Sequence, residues 1–293
     1  NEALWRALML GLRDYCDNHG FPSVNFGLSG RIDSASVAAL AGDALGSDRV
    51  HAVMMPSDYT AEISVTDADK LAEALGIKLD TIAIRKGMTA FDNMLAPSFE
   101  GRDPGLAEEN IQSRLRGMLL MALSNKFGHL VLATGNKSEY AAGYSTLYGD
   151  MCGGFAPIKD VWKTRIFELA RWRNLAVPKG ALGPTGEVIP DRIITRPPSA
   201  ELRPDQQDTD SLPPYEILDE ILIALTEEMA DIETITARGF DADTVAQASQ
   251  LLFRAEYKRF QAAPGPKVTA RAFGRDRRLP LTSGFRPQFM EKL

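Results

Sequence analysis

Two kinds of apolar spacing alternate through the first half of the chain. Apolar residues about 3.6 positions apart predict helices, which cover 2–18, a stretch from 35 onward, 61–75 and 106–126. Short apolar runs predict strands, which cover 24–28, 50–55, 78–84 and 129–133. Strands that alternate with helices at this spacing favour a parallel sheet with right-handed crossover connections. The predicted fold class is therefore α/β.

The second half of the chain has a less regular pattern. Residues 144–163 are rich in glycine and aromatic side chains, and 178–210 are dense in proline, glycine and charge. Such a long stretch without regular structure is typically a functional lid or a surface linker. Helical spacing returns over 163–173, 213–226, 228–238 and 241–260. We predict a single domain over 1–293, with 178–212 as a mobile active-site loop and 261–293 as a basic C-terminal tail.

Composition narrows the classes of protein to consider. The apolar content of 44% and the charged content of 25% are ordinary for a folded globular domain. No apolar run reaches the length of a membrane span, and a net charge of −6 argues against a general nucleic-acid binder. Cys16 and Cys152 stand far apart without metal-ligand spacing. This favours free thiols and a cytoplasmic location.

The strongest chemical signal lies where the first predicted strand meets a helix. Residues 24–35 read VNFGLSGRIDSA, an apolar run followed by Ser-Gly-x-x-Asp-Ser. The free N–H groups of a helix's first turn suit a bound phosphate, and the hydroxyls of Ser29 and Ser34 add donors. Gly30 permits close approach of the backbone, and Asp33 is a ligand type that Mg²⁺ prefers. A helix-capping turn has the same pattern, so both interpretations stay open on these residues alone.

A second strand meets a helix at Thr134-Gly135-Asn136-Lys137-Ser138-Glu139. It predicts a second ligand loop beside the first, because the carboxyl ends of parallel strands meet at one edge of the sheet. Glu139 suits either a magnesium ligand or a carboxylate that the helix dipole favours. The long helix ahead of it carries Asn110 and Arg114 among apolar residues. Its periodicity alone favours a core helix with solvated polar side chains.

The first loop resembles the pyrophosphate-binding loop, Ser-Gly-Gly-x-Asp-Ser, of the ATP pyrophosphatase superfamily. It is not a Walker loop, since no Gly-Lys-Ser/Thr follows. Arg31 stands where that superfamily has its second glycine. If this position needs a positive φ, arginine is strained there by roughly 1–3 kcal/mol and obstructs the loop. Alternatively, its side chain reaches a phosphate.

Several collinear stretches are similar to one family, NAD synthetase, and within it to the synthetase portion of the glutamine-dependent form. They are residues 28–35, 105–126 (GLAEENIQSRLRGMLLMALSNK), 133–154 (ATGNKSEYAAGYSTLYGDMCGG), 197–215 (PPSAELRPDQQDTDSLPPY) and 256–278 (EYKRFQAAPGPKVTARAFGRDRR). The resemblance implies an adenine-nucleotide α-hydrolase-like three-layer sandwich with a parallel sheet.

The resemblance also implies a reaction and its partners. In that family ATP adenylates the carboxylate of nicotinic acid adenine dinucleotide and releases pyrophosphate, and ammonia then displaces AMP to form NAD. Mg²⁺ is the implied cofactor and ATP the co-substrate. A homodimer is implied, with the substrate site at the interface beside the helix over 106–126. Glutamine-dependent members carry an amidase domain before this portion. We expect no such domain in this chain, so free ammonia and amidase-derived ammonia both stay open.

The resemblance assigns roles to individual residues. Those implied to bind ATP or its phosphates are Leu28, Ser29, Gly30, Arg31, Ser34, Thr134, Lys163 and Ser199. Those implied to contact the dinucleotide are Asn110, Arg114, Asp150, Tyr257 and Lys258. Asp33 and Glu139 are the implied magnesium ligands. The catalytic set is Asp33, Glu139, Lys163 and Ser199.

Two other functions remain as alternatives. Another amidating ATP pyrophosphatase, similar to GMP synthetase, needs the phosphate loop but not the segments that carry Asn110, Arg114 and Lys258. A nucleotide-binding or assembly subunit weakened in catalysis is the second alternative. It is suggested by Arg31 and by Asp58, which stands where the glutamine-dependent enzymes tend to have an arginine near the adenosine.

Overall fold

The structure, a computed structural model, describes residues 1–282. Its strands are β1 (Val24–Gly27), β2 (Val50–Met54), β3 (Lys78–Thr81) and β4 (Leu130–Val131). Its helices are α1 (Glu2–His19), α2 (Ile32–Leu45), α3 (Glu62–Leu75), α4 (Arg85–Leu95), α5 (Leu106–Phe127), α6 (Lys137–Ala142), α7 (Lys163–Leu175), α8 (Asp191–Thr195), α9 (Tyr215–Ile223), α10 (Ile232–Ala237), α11 (Ala242–Arg254) and α12 (Glu256–Arg259). A π turn, Ala224–Glu228, continues α9.

The four strands form one parallel sheet in the order β3-β2-β1-β4. Val24 of β1 pairs with Val50 on one side and with Leu130 on the other. Helices α4 and α5 cover one face of this sheet, while α1, α2, α3 and α7 form a layer on the other. The predicted α/β sandwich with a parallel sheet is confirmed.

Alternation along the strands explains the two faces. Phe26 and Met54 point into the larger core, whereas Val53 and Val131 point toward α5. Helix α2 is buried around its whole circumference because it lies between the sheet and four other helices, α1, α3, α7 and α8. Its run of alanine and small residues permits that close packing.

The C-terminal helices form a second core against α6. Helices α9, α10 and α11 bury apolar side chains there, among them Leu218, Ile235 and Leu252, against Tyr140 of α6. The helix predicted over 241–260 is interrupted at Ala255, and α4 was not predicted. Helix α4 has no buried residue and packs against α5 through partly buried side chains such as Met88.

Residues 178–212 are not without regular structure. They include α8 and a 3₁₀ turn at Asp208–Asp210. Ile193 and Ile194 of α8 are buried in the larger core, and Arg192 makes an ion pair with Asp67 of α3. One turn of helix carries too few apolar positions to show a period, so this element escaped the sequence pattern. The mobility of the segment stays a prediction.

The described part of the tail packs on the body of the protein. The backbone N–H groups of Val268 and Thr269 donate to the Asp160 carboxylate at 2.8 and 2.9 Å. Residues 283–293 lie outside the described residues, so the single-domain assignment over 1–293 stays a prediction. No helix within residues 1–282 is long and apolar enough to cross a membrane.

Candidate active site

The two predicted ligand loops lie side by side at one edge of the sheet. From β1 the chain moves outward to β2 and β3 and then returns to place β4 on the opposite side of β1. Strand order therefore reverses between β1 and β4, which is where open parallel sheets bind ligands. The loops that follow these two strands line a cavity of about 240 Å³.

The first loop, which is predicted to bind phosphate, places two hydroxyl groups beside the start of α2. The Leu28 N–H donates to the Val53 carbonyl at 2.9 Å, so strand pairing continues up to the loop. The Ser29 N–H donates to the Ser34 hydroxyl at 3.2 Å, and the two hydroxyls lie 3.1 Å apart. The first turn of α2 therefore starts beside two hydroxyl groups, and residues 31–34 line the cavity.

The backbone places the glycine requirement at Gly30, not at Arg31. Gly30 has φ +69°, and a Cβ there would lie 2.1 Å from the carbonyl oxygen of Ser64. Arg31 is the N-cap of α2, with φ −118° and ψ 161°, an extended conformation open to any residue. The expectation of backbone strain at Arg31 is therefore wrong.

The second loop is bound directly to the first. Asn136 caps α6, since its side chain accepts from the Glu139 N–H at 3.0 Å while its own N–H donates to Glu139 at 3.2 Å. The Asn136 Nδ2 also donates to Asp33 Oδ1 at 2.8 Å. One side chain thus fixes the positions of both predicted metal ligands relative to each other.

Lys163 joins these two carboxylates. Its ammonium, on the first turn of α7, is ion-paired with Asp33 and lies 3.2 Å from Glu139, and the side chain is only 2% exposed. Burial is the largest influence on the pKa of Lys163 and lowers it, but the two carboxylates outweigh burial and raise the pKa overall. Burial and then the charge of Asp33 raise the pKa of Glu139 to about 8, although Lys163 opposes them. The single ammonium of Lys163 therefore does not offset the negative charge that both carboxylates would carry together.

The donor set at this point fits Mg²⁺. Asp33 and Glu139 already share one cation, the ammonium of Lys163, so both carboxylates reach a common point. Within residues 1–282 no three His, Cys, Asp or Glu side chains gather as a closed metal site. Mg²⁺ typically takes one or two carboxylates and fills its other positions with water and substrate phosphates. Two carboxylates beside a phosphate loop match that preference.

Four of the five predicted dinucleotide residues meet around one loop, 143–150. Asn110 accepts from the Thr146 hydroxyl at 2.9 Å, and Arg114 donates to the Leu147 carbonyl at 3.2 Å. Asp150 accepts from the Thr146 N–H at 2.6 Å, and Lys258 donates to the carbonyls of residues 143 and 145 at 2.6 Å. The side chain of Tyr257 is half exposed and makes no such contact. Asp150 also lines the cavity, so this loop adjoins the phosphate loop.

Residues 196–202 also line the cavity. The Ser199 hydroxyl donates to the Gln206 carbonyl at 2.5 Å and accepts from the Glu201 N–H at 3.1 Å, so it stabilises its own turn. Thr134 lines the cavity with Leu28. Asp58 does not line it: this acid is ion-paired at 2.6 Å with Arg85 on the surface. The suggestion that Asp58 disturbs a nucleotide site is thus not supported by its position.

The structure also brings to the cavity two residues to which the sequence pattern assigned no role. Arg116 lines it, held by a 3.0 Å hydrogen bond from Nε to the Met55 carbonyl, and burial lowers its pKa to about 10. Asp208 accepts from the Tyr215 hydroxyl at 2.9 Å, and burial raises the pKa of Asp208. A signal for Arg116 existed, because it lies two positions after Arg114 in the same segment. Asp208 had none.

The parallel sheet, the strand reversal and the loop after β1 define a protein of the adenine-nucleotide α-hydrolase-like fold. A family model described as NAD synthase matches residues 4–262. The chain therefore belongs to the NAD synthase family.

Known relatives agree with this assignment. The chain is 54% identical to the glutamine-dependent NAD(+) synthetase of Rhodobacter capsulatus, over 98% of this chain and 52% of that protein. The glutamine-dependent NAD+ synthetase of Acinetobacter baumannii, solved with ADP, is 48% identical with a TM-score of 0.63, over 95% of this chain and 49% of that one. The NMN synthetase of Francisella tularensis is 26% identical with a TM-score of 0.72, over 97% and 98%. The chain spans about half the length of the curated relatives it matches.

Proposed function

We propose that this chain carries out the ATP-dependent amidation of nicotinic acid adenine dinucleotide to NAD, with release of AMP and pyrophosphate. The observation that carries the proposal is the meeting of Asp33, Glu139 and Lys163, bridged by Asn136, at the strand reversal beside the phosphate loop. This arrangement supplies paired carboxylates, a buried cation and a helix N-terminus at one point. Chemistry on a polyphosphate needs these groups.

In the first step the nicotinate carboxylate oxygen attacks the α-phosphorus of ATP, and the bond to pyrophosphate breaks. The loop residues Ser29, Gly30 and Ser34 hold the terminal phosphates through hydroxyl and backbone donors. Asp33 and Glu139 would hold Mg²⁺, which supplies charge neutralisation between the phosphates when it is bound. Lys163 places its ammonium between the two acids and so offsets part of their negative charge close to the leaving group.

In the second step ammonia attacks the carbonyl carbon of the acyl adenylate, and AMP leaves. The dinucleotide site we propose lies around loop 143–150, where Asn110, Arg114 and Lys258 already converge. Since Asp150 belongs to this loop and to the cavity, the nicotinate end would face the α-phosphate. Closure of residues 197–202 over the cavity would keep water from the adenylate. The source of ammonia, free or from an amidase, is open.

We also propose a homodimer whose interface includes α5. Met118 and Phe127 of this helix are more than 60% exposed, as is Leu106 at its start. A second copy packed there would cover apolar surface and border Arg114. The free thiols of Cys16 and Cys152 suit the cytoplasmic location that we propose.

The test is formation of NAD and pyrophosphate from nicotinic acid adenine dinucleotide, MgATP and ammonium. We expect both products in equal amounts, and we expect Asp33→Asn to lose them. Asp14→Asn, which removes an exposed acid on α1, is the matched control and should keep full activity. A folded chain that binds the dinucleotide but forms neither product would contradict the proposal and favour a disabled subunit. Nicotinamide mononucleotide formed from its acid would instead match the activity in the Francisella protein's name.

A further inference from the structure

One carboxylate oxygen, Oε1 of Glu201, contacts two arginine side chains beside the phosphate loop. Glu201 Oε1 is ion-paired with Arg31, lies 3.0 Å from Arg196 Nη2 and accepts from the Ser64 hydroxyl at 2.9 Å. Arg196 also donates to that hydroxyl at 2.8 Å, and Arg31 donates to the Pro197 carbonyl at 3.1 Å. The side chains of Arg31 and Glu201 are only 12% and 13% exposed. Three separate segments thus meet on one acid.

This cluster lies at the phosphate loop itself. Arg31 follows Gly30 directly and caps α2, and Ser64 is the residue whose carbonyl lies against Gly30. Arg31, Arg196 and Glu201 all line the cavity. Two guanidinium groups, a hydroxyl and a helix N-terminus are the donors that proteins use to bind phosphate. Here a carboxylate occupies the two guanidinium groups and the hydroxyl.

Two features show that the pairing is not a relaxed surface contact. Glu201 has φ +50°, a left-handed conformation that a glutamate rarely adopts. The Nε of Arg31 is buried and makes no hydrogen bond within the described part of the chain. Burial lowers the pKa of Arg31, Glu201 opposes this effect, and Arg196 adds to it. The guanidinium therefore needs an anion beside it.

We propose that Arg31 and Arg196 are ligands of the terminal phosphates of ATP, and that Glu201 is a built-in competitor that holds them when no nucleotide is bound. A triphosphate carries more negative charge than one carboxylate, so it takes both guanidinium groups and releases Glu201. Release also relieves the left-handed backbone at Glu201. Arg31 would then be an added phosphate ligand in place of a small loop residue. This inference rests on the proposed function, because it requires ATP at this site.

The first test is MgATP binding to Glu201→Gln, measured by calorimetry on the full chain. The amide keeps the size and one acceptor oxygen but loses the charge, so we expect affinity to rise roughly three- to tenfold. Affinity for AMP should not change, because AMP lacks the phosphates at issue. Glu73→Gln removes an exposed acid from α3 and should leave MgATP affinity unchanged. Weaker MgATP binding by Glu201→Gln would overturn the proposal and make Glu201 a support of the loop.

The second test distinguishes a direct contact between Arg31 and the phosphates from a general effect of removing the negative charge of Glu201. Arg31→Gln should weaken MgATP binding, and in that background Glu201→Gln should have a smaller effect than in the parent chain. Thermal unfolding checks that each variant is folded. Unchanged affinity in a folded Arg31→Gln would show that the arginine contacts no phosphate and would overturn the proposal. If the parent chain itself binds no MgATP, the proposed function fails; if it binds but Glu201→Gln gives no gain, this inference alone fails.

Discussion

Replacement of Lys163 by methionine should destabilise the protein in a way that Mg²⁺ reverses. The ammonium is almost fully buried and balances Asp33 and Glu139. Removal of one partner from a buried ionic cluster costs about 3–5 kcal/mol. The pKa of Glu139 is already about 8, so this acid takes up a proton at neutral pH and does not stay as an unpaired charge. The loss in the free energy of unfolding should therefore lie at the lower end of that range, at about 3 kcal/mol. For a domain of this size that corresponds to a Tm lower by about 6–12 °C.

Mg²⁺ should then stabilise the variant more than it stabilises the parent chain. With Lys163 gone, the two carboxylates have no competing cation, and a metal concentration a hundredfold above Kd returns about 2.7 kcal/mol. The assay is thermal unfolding with and without MgCl₂, in the absence of nucleotide. Arg173→Met is the matched control, because Arg173 is equally buried but pairs, among the described residues, with a single carboxylate, Asp43. It should lose stability without a metal response, and the same absence of response in Lys163→Met would refute the reasoning.

Three further outcomes are expected. Because the pKa of Glu139 is raised from 4.5 to about 8, this carboxyl lowers the free energy of unfolding progressively as pH rises through that range. Glu139→Gln should therefore be no more stable than the parent at about pH 5 and about 1–3 kcal/mol more stable above about pH 8, as measured by urea unfolding. Gly30→Ala should lower MgATP affinity at least about tenfold, because its Cβ would strike a backbone carbonyl, whereas Gly180→Ala, also at positive φ but in open space, should not. Arg173→Met should cost about 3–5 kcal/mol, because it leaves Asp43 buried and unpaired.

Each of these has a clear contrary result. A parallel pH dependence for Glu139→Gln and the parent would show that this acid ionises normally in the folded state. Equal MgATP affinity in both glycine variants would mean that the loop after β1 does not approach the phosphates. Wild-type stability of Arg173→Met in urea would show that the buried ion pair is dispensable.

The relation of Asp33 to Glu139 was accessible from the sequence. Each follows a predicted strand by a few residues, and carboxyl ends of parallel strands share one edge of a sheet. The sequence did not show that β1 and β4 are adjacent or that Asn136 bridges the two acids. Strand order is a long-range property that periodicity does not report. The start of α6 was readable because its cap depends on neighbouring residues alone, whereas α2 begins at Ile32 without a side-chain cap.

Other parts of the site depend on contacts between distant segments. Lys163 meets Asp33 across 130 positions, and Arg31 meets Glu201 across 170. For Lys163 only the family resemblance indicated a role, and it indicated a phosphate contact, whereas the structure has the ammonium between two acids. For Arg31 the sequence suggested strain, because the loop's positive φ cannot be assigned to one of two adjacent positions without coordinates. The phosphate, metal and dinucleotide roles of these residues stay predictions.

The most direct test of the central claim follows the oxygen of the substrate carboxylate. Nicotinic acid adenine dinucleotide labelled with ¹⁸O in that carboxylate is incubated with the chain, MgATP and ammonium, and the products are analysed by mass spectrometry. Attack of the carboxylate on the α-phosphorus predicts AMP that carries one ¹⁸O for each NAD formed, with unlabelled pyrophosphate. Unlabelled AMP, or label in pyrophosphate, would contradict an acyl adenylate formed at this site.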